Sequence, residues 1–280
     1  MDAALDKLFV GVDAGGSRTV AALARGDDLV RTAAGQAANP NLTGLDAAAS
    51  VIAQAISAVL GGESAAAIGV GVAGGGSGGV RASLLASLQR SFPGTPITVS
   101  HDARIALRAA VPDGDGMVLI AGTGSIAYAE VAQRTYFAGG YGYLLGDAGS
   151  GHAMGSAALR DRVDAGDRAL LSALYQNPDR VAEIAAEAPA VLRAAGAGDA
   201  RACEIVDDAA EALLHLAARL VESSGVLSLP LALAGGLLAE SSALSARLER
   251  RIAETWLDVS LVARRAPYFG ALQEARRMIS

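Results

Sequence analysis

A repeated order of strands and glycine turns in the two halves of the chain constrains the fold most. An apolar strand at Leu8–Ala14 runs into Gly15-Gly16-Ser17, and one at Met117–Ala121 runs into Gly122-Thr123-Gly124-Ser125. Because glycine makes up 34 of the 280 residues, a match between glycine-rich turns arises easily by chance. The repeated element order is the stronger signal. It predicts an α/β protein of two lobes, each a mixed sheet flanked by helices, with a cleft between them.

Hydrophobic periodicity gives the elements of the first half. Thr43 is expected to cap a helix that ends at Gly61-Gly62. The other expected elements are strands at Leu8–Ala14, Arg18–Ala24, Leu29–Ala34, Ala66–Ala73 and Pro96–Ser100, and helices at Val80–Phe92 and Ala103–Ala110.

The second half restarts the pattern with a strand and a hairpin and then becomes mainly helical. We expect helices from about Gly151 to Ser224, with breaks near Gly166, Pro178 and Gly196–Gly198, and a last helix from about Gly270. The expected strands are Met117–Ala121, Ile126–Val131, Arg134–Phe137, Leu229–Ala234 and one near Val259–Val262. The predicted lobes are residues 1–112 and 113–280, with the last helix packing back on the first lobe.

Composition excludes several classes of function. The net charge is −6 and the sequence contains no run of basic residues, so we expect no nucleic-acid partner. Lys7 is the only lysine, which removes Walker A, protein-kinase and Schiff-base chemistry. Cys203, the one cysteine, reads as a small core residue. The longest apolar stretch, Val226–Leu238, is too short and interrupted to span a bilayer, so we expect a cytoplasmic protein with no membrane partner.

The turn after the first strand is a candidate phosphate loop. Its glycines let the backbone approach a phosphate closely, and Asp13 at the strand end can hold Mg²⁺ directly or through water. A hairpin turn with a capping aspartate explains the same residues equally well. The turn Gly122-Thr123-Gly124-Ser125 offers the same chemistry without a carboxylate. Gly235-Gly236, after a later strand, suits either an adenosine contact or an ordinary turn.

Two further features carry candidate chemistry. Asp102, at a strand end, is either a general base for a hydroxyl or the N-cap of the following helix. The glycine-rich stretch Gly139–Gly151 contains Tyr141, whose ring can stack on a sugar, and Asp147, whose carboxylate can accept sugar hydroxyls. The alternative is a structured surface loop without a ligand.

Two competing motifs fit poorly. Gly75-Gly76-Ser77-Gly78-Gly79 matches the G-x-S-x-G elbow of hydrolases. However, the six residues 74–79 contain five glycines and match by chance, and no suitable acid and histidine follow. Gly122–Ala127 matches G-x-G-x-x-A, but a dinucleotide site needs a helix next, and a strand is expected there.

Taken together, these motifs resemble the N-acetylglucosamine kinase family, within the group of BadF/BadG/BcrA/BcrD-type ATPases of the actin-like (ribonuclease H-like) superfamily. The dehydratase-activator branch of that group fits less well, because a single cysteine cannot supply its cluster ligands. The matching pieces span nearly the whole chain, in the family's order: Gly11–Ser17, Asn39, Asp102-Ala103, Ala121–Ser125, Gly139–Ser150 and Gly235-Gly236.

The resemblance implies a role for each matching residue. Asp102 would be the catalytic base and Asp13 would lie near the magnesium. The nucleotide would contact Gly15, Gly16, Ser17, Gly122, Thr123, Gly124, Gly235 and Gly236. The sugar would contact Asn39, Gly140, Tyr141 and Asp147. Tyr141 stands where tryptophan is frequent in the family, and Ala148 where glutamate is frequent.

The function implied is transfer of phosphate from ATP, with Mg²⁺, to N-acetylglucosamine, giving its 6-phosphate. Glucosamine or another sugar is the alternative substrate, and a homodimer is the expected assembly. A sugar-sensing or ATP-switch protein without catalysis is the alternative of another class. It would need a DNA-binding or partner domain, and it would tolerate the loss of Asp102, which is present.

Overall fold

A computed structural model describes residues 6–226, 228–255 and 259–279. The chain forms two compact units: Met1–Asp113 with Ala263–Ser280, and Gly114–Val262. In the described ranges, no helix combines the length and the apolar character that a membrane span requires.

The first unit is a five-stranded mixed sheet in the order β3-β2-β1-β4-β5. The first three strands are antiparallel neighbours, whereas β4 runs parallel to both β1 and β5. Its strands are β1 Leu8–Ala14, β2 Thr19–Arg25, β3 Asp28–Gly35, β4 Ala67–Val72 and β5 Ile97–His101. Its helices are α1 Pro40–Thr43, α2 Leu45–Leu60, α3 Gly78–Ser91, α4 Asp102–Ala110 and, from the end of the chain, α11 Tyr268–Arg277.

Two glycines of β4 allow helices to lie directly on one face of this sheet. A Cβ atom on Gly69 would overlap the carbonyl of Ala271 in α11, and one on Gly71 would overlap the side chain of Ile105 in α4. Gly71 is also the register partner of Asp13 on β1. The bare surface of β4 therefore sets how closely α4, which begins at Asp102, approaches the strand that carries Asp13.

Helix α2 covers another part of the sheet and shows where sequence and structure differ. Ile52, Ile56 and Val59 are buried at helical spacing, and the helix ends at Gly61 in a left-handed conformation, as expected. The expected Thr43 cap is wrong. Thr43 lies in the short helix α1, its hydroxyl donates to the carbonyl of Asn39, and α2 begins after Gly44.

The second unit repeats the same sheet, read as β8-β7-β6-β9-β10. Strands β6, β7 and β8 are antiparallel neighbours, and β9 is parallel to β6 and β10. Its strands are β6 Gly116–Ala121, β7 Ser125–Val131, β8 Arg134–Gly139, β9 Pro230–Ala234 and β10 Ser260–Leu261. Its helices are α5 Gly151–Asp164, α6 Ala169–Gln176, α7 Arg180–Ala185, α8 Ala188–Gly196, α9 Ala200–Ser224, a 3₁₀ turn Gly236–Leu238 and α10 Ala243–Thr255.

Local chemistry defines the long helix α9 of this unit. Its N-cap Asp199 accepts a hydrogen bond from the backbone N–H of Ala202 at 2.8 Å, and Gly225 ends it in a left-handed conformation. Leu213, Leu220 and other apolar residues of its inner face are buried in the core of the unit. The expected breaks between the helices of this region are confirmed.

The two sheets therefore share one strand order and one pattern of parallel and antiparallel pairing. Each first strand is followed by a glycine turn, and each fourth strand is followed within two residues by a glycine with positive φ, Gly74 in one unit and Gly235 in the other. The duplicated mixed α/β fold expected from the repeat is confirmed.

Candidate active site

The first glycine turn connects β1 to β2. The N–H of Gly15 donates to the carbonyl of Arg18 at 2.9 Å, and the N–H of Ala38 donates to the carbonyl of Gly15 at 3.1 Å. A Cβ atom on Gly15 would lie 2.8 Å from the Arg18 carbonyl oxygen, so this position requires glycine. Ser17 is exposed at the tip. The turn is tied to the sheet at its base and presents its tip to solvent.

Asp13 and Asp102 are both in the first unit and interact electrostatically. Asp13 is near the end of β1, and Asp102 follows β5 directly as the first residue of α4. Burial raises the pKa of Asp13 to about 7, with a further contribution from the charge of Asp102 and an opposing one from Arg18. Burial also raises the pKa of Asp102 to about 6, against a backbone hydrogen bond that lowers it.

Asp102 is not the N-cap of α4. That position belongs to His101, whose Nδ1 accepts a hydrogen bond from the N–H of Arg104 at 3.1 Å. The Oδ1 of Asp102 accepts from the N–H of Ala103 at 2.9 Å. The capping alternative for Asp102 is thus wrong, and the capping role of His101 was missed. The side chain of Arg104 pairs with Glu274 of α11 at 3.2 Å, which ties α4 to the last helix.

The donors around Asp13 fit a magnesium ion. Mg²⁺ prefers oxygen ligands, keeps several waters and is commonly held by one or two carboxylates together with substrate phosphates. Asp13 supplies one such carboxylate, and a cation there would relieve its repulsion with Asp102. Among the described residues, no group of three or more His, Cys, Asp or Glu side chains forms an all-protein metal cage. A sparse magnesium site of this kind matches the residues present.

Asn39 lies between two glycine loops of the first unit. It caps α1, with its Oδ1 accepting from the N–H of Asn41 at 3.0 Å. A Cβ atom on Gly74 would overlap that Oδ1, and one on Gly16 would lie 4.0 Å from its Nδ2. The loop after β4 was considered only as a hydrolase motif. A glycine run directly after a strand of a parallel pair is the sequence signal that could have identified this loop as part of the site beside Asn39.

The second glycine turn connects β6 to β7 and is braced by the start of α5. The N–H of Gly122 donates to the carbonyl of Gly124 at 2.9 Å. The N–H of Gly151 donates to the carbonyl of Gly122 at 2.8 Å, and the N–H of His152 to that of Thr123 at 3.2 Å. The expectation that β7 follows as a strand, against a dinucleotide motif, is confirmed.

Asp147 lies against this turn. The residue is only 9% exposed, its φ is +62°, and its Oδ1 accepts from the N–H of Ser125 at 3.1 Å. Burial raises its pKa, while the hydrogen bond from Ser125 and the charge of His152 lower it. The sequence had placed Asp147 among sugar-contacting residues and gave no indication of its contact with the turn.

The rest of the glycine-rich stretch is more open. Tyr141 is 57% exposed and its Cβ packs against Gly146, whereas Leu145 is 84% exposed. Gly140 has a positive φ, and its N–H donates to the carbonyl of Ser125 at 3.0 Å. This stretch is therefore fixed at both ends to β7 and presents its middle to solvent.

Gly235 joins the same part of the second unit. It has a φ of +91°, and a Cβ atom there would overlap the carbonyl of Ala121, the last residue of β6. Gly236 begins the 3₁₀ turn that follows β9. Close packing against β6 explains the glycine at 235 by itself, and it also brings the Gly235 loop beside the turn at Gly122.

Each unit thus brings its own candidate residues together. The first unit gathers Asp13, Gly15, Gly16, Ser17, Asn39 and Asp102. The second gathers Gly122, Thr123, Gly124, Gly140, Tyr141, Asp147, Gly235 and Gly236. Two duplicated mixed sheets whose first strands end in glycine turns define a protein of the actin-like ATPase fold.

The sequence profile of the BadF/BadG/BcrA/BcrD ATPase family matches residues 10–275. The chain belongs to this family. The resemblance found in its motifs is confirmed over almost its whole length.

Comparison with individual proteins agrees with this assignment. A candidate N-acetylglucosamine kinase from Porphyromonas gingivalis superposes with a TM-score of 0.81 at 18% identity, covering 97% of this chain and 99% of that one. A second, from Chromobacterium violaceum, gives 0.73 at 24% identity, covering 95% and 98%. A ROK family glucokinase from Streptomyces griseus, in complex with glucose and AMPPNP, gives 0.67 at 19% identity, covering 96% and 99%. These similarities show the fold.

A sequence relative matches over a shorter stretch. The N-acetylmuramic acid/N-acetylglucosamine kinase of Clostridium acetobutylicum is 37% identical over 73 residues. The match covers 26% of this chain and about a quarter, 24%, of the relative.

Proposed function

We propose that the chain is an ATP-dependent sugar kinase whose preferred acceptor is the 6-hydroxyl of N-acetylglucosamine. The observation that carries the proposal is the interacting carboxyl pair Asp13 and Asp102 in a member of an ATPase family. Phosphoryl transfer to a hydroxyl needs a carboxylate that holds magnesium and one that accepts a proton. The names of the relatives favour a sugar as the acceptor, and amino sugars in particular.

In the proposed reaction Asp102 is the general base. Its carboxylate accepts the proton of the sugar hydroxyl as that oxygen bonds to the γ-phosphorus. The bond from the γ-phosphorus to the bridging oxygen breaks, and ADP leaves with the electron pair. With a pKa of about 6, Asp102 is mostly ionised at neutral pH and is more basic than an ordinary aspartate. These properties suit a base that works near pH 7.

Asp13 is the proposed magnesium ligand, directly or through water. Magnesium, when bound, supplies charge neutralisation for the phosphates of the nucleotide. Backbone N–H groups of Gly15 and Gly16, with the Ser17 hydroxyl, are proposed to bind phosphate oxygens. The second glycine turn is proposed to do the same through Gly122, Thr123 and Gly124, and the nucleoside is proposed to contact Gly235 and Gly236.

The proposed sugar contacts are Asn39, Gly140, Tyr141 and Asp147. Asn39 is supported by its place between the Gly16 and Gly74 loops, and Tyr141 by its exposed ring. Gly140 and Asp147 are proposed through the family resemblance. A cytoplasmic homodimer stays a prediction, for which sedimentation of the purified protein measures the assembly.

The test is ADP release from Mg-ATP with N-acetylglucosamine, N-acetylmuramic acid, glucosamine, glucose and N-acetylmannosamine. We expect strong stimulation by N-acetylglucosamine, and none by its 6-deoxy analogue, which lacks the acceptor hydroxyl. Stimulation by a different sugar would support the kinase activity and identify that sugar as the substrate instead of N-acetylglucosamine. The absence of stimulation by any sugar would contradict the proposal.

The matched variants are Asp102→Asn and Asp46→Asn. Both replace an aspartate in the first turn of a helix of the same unit, but Asp46 is exposed on α2. Only Asp102→Asn should abolish the sugar-stimulated release.

A further inference from the structure

The contacts of Asp147 point to a role beyond the sugar. Its Oδ1 accepts the N–H of Ser125 at 3.1 Å, although the two residues are 22 positions apart in sequence. A Cβ atom on Gly124 would lie 2.9 Å from both carboxylate oxygens. The carboxylate therefore sits directly beneath the Gly124–Ser125 peptide, in space that only a glycine at 124 leaves open.

The segment that carries Asp147 is itself firmly anchored. The carbonyl of Ala148 accepts the Ser125 hydroxyl at 2.8 Å, and the carbonyl of Asp147 accepts the N–H of Ser150 at 3.1 Å. Ser125 and Ser150 are both buried. A Cβ atom on Gly149 would lie 2.7 Å from the Ala209 carbonyl of α9, so the segment rests on the main helix of the unit. Asp147 thus links the turn to α9, because the segment that carries it packs on that helix and its carboxylate binds the turn.

The backbone at Asp147 has a left-handed conformation, with φ at +62°. This conformation is costly for most residues and is tolerated best by glycine, asparagine and aspartate. At this point the chain therefore adopts a conformation that few residue types tolerate, and it brings a carboxylate under the second glycine turn. Burial of that carboxylate is partly compensated by the hydrogen bond from the Ser125 N–H.

We propose that Asp147 is a positioning residue that holds the Gly122–Ser125 turn in the shape that binds phosphate. Through Oδ1 it connects the glycine-rich stretch 139–151 to that turn. The inference rests on the proposed nucleotide role of the turn. It adds that loss of Asp147 weakens nucleotide binding even when no sugar is present.

Three variants separate this role from a sugar contact. Asp147→Gly removes the carboxylate but accepts the positive φ, and Asp147→Asn keeps an oxygen for the Ser125 N–H. The matched control is Asp115→Gly. Asp115 accepts the N–H of Ala132 at 2.9 Å, the same kind of bond at the opposite end of the β6–β7 pair.

The measurements are Mg-ADP affinity by calorimetry without sugar, and amide exchange of the 122–127 segment in the unliganded protein. We expect Asp147→Gly to weaken ADP binding about 10- to 100-fold, the range for loss of a bond to a charged group, and to speed exchange at Ser125. Asp147→Asn and Asp115→Gly should both stay within about threefold of the wild type in ADP affinity. If Asp147→Gly binds ADP normally, or Asp147→Asn is equally impaired, the proposal is wrong.

A second perturbation comes from the other side of the contact. Gly124→Ala puts a methyl group against the carboxylate and should weaken ADP binding in the wild-type background. In the Asp147→Gly background the same change should add little, because the clash is gone. Additive losses would contradict a direct coupling. A wild-type protein that binds no nucleotide would refute the proposed function, whereas amide exchange would still decide whether Asp147 holds the turn.

Discussion

Asp102 raises the pKa of Asp13, and burial of both carboxyl groups raises each pKa well above that of a free aspartate. The first unit therefore holds two acids that resist being ionised together. A divalent cation at Asp13 would favour the ionised form of both. This links magnesium binding to the charge state of the proposed base.

Replacement of the base should stop chemistry and spare binding. Asp102→Asn keeps the volume of the side chain and removes its basicity, so we expect kcat to fall by about 10²- to 10⁴-fold. Mg-ADP affinity, measured by calorimetry, should change little. Turnover close to that of the wild type would leave Asp102 with a purely structural role at the start of α4.

The rate should fall on the acidic side of neutrality. The kcat/KM for the sugar requires ionised Asp102, whose pKa is about 6 without a cation and is lowered by magnesium at Asp13. At saturating magnesium we expect a plateau around pH 7 and a tenfold fall per pH unit below that lowered pKa. Initial rates between pH 4 and 9, at saturating and at limiting magnesium, measure this, and a profile with no acidic fall under either condition would contradict the assignment of the base.

Removal of the Asp13 charge should stabilise the protein without magnesium. The pKa of about 7 in the folded protein lies above the 3.8 of a free aspartate, so the folded state binds the proton more tightly than the unfolded state. Stability is therefore lost as pH rises from about 4 to 7. We expect Asp13→Asn to raise the free energy of unfolding by about 1–3 kcal/mol at pH 8 and by much less at pH 4.

Thermal unfolding of Asp13→Asn and the wild type at both pH values checks this expectation. Asp46→Asn on the exposed face of α2 is the control and should leave the difference unchanged. An equal effect of Asp13→Asn at pH 4 and pH 8 would mean that ionisation is not its cause.

Gly71 should be needed for packing rather than for ligand contact. A methyl group there would overlap Ile105 of α4, so Gly71→Ala should destabilise the first unit by about 1–3 kcal/mol. The control is Gly76→Ala, since a Cβ at Gly76 meets nothing within 4 Å. In an Ile105→Ala background the penalty of Gly71→Ala should largely vanish, and denaturant unfolding of the four variants measures this. A penalty that persists there would exclude overlap with Ile105 as its cause.

The strands could be read from the sequence because their apolar runs are short and end at glycines, as at Leu8–Ala14. Contacts between segments that are distant in sequence could not be predicted in this way. No residue near Asp147 in the sequence indicates its hydrogen bond to Ser125. The sequence also does not distinguish a glycine that faces a ligand from one that packs against a helix, as Gly71 does. The cap at Thr43 failed for a local reason, since Asn39-Pro40 starts a short helix of its own.

Helix α11 comes from the end of the chain, yet it packs on β1 and β4 of the first unit. Its arginines hold it there: Arg276 donates to the Gly26 carbonyl at 2.7 Å, and Arg277 pairs with Asp113 at 2.7 Å. During synthesis, residues 6–113 would therefore lack the helix that covers β1 and β4 until the whole second unit and α11 have been made. The second unit, continuous from Gly114 to Val262, can finish folding before the first.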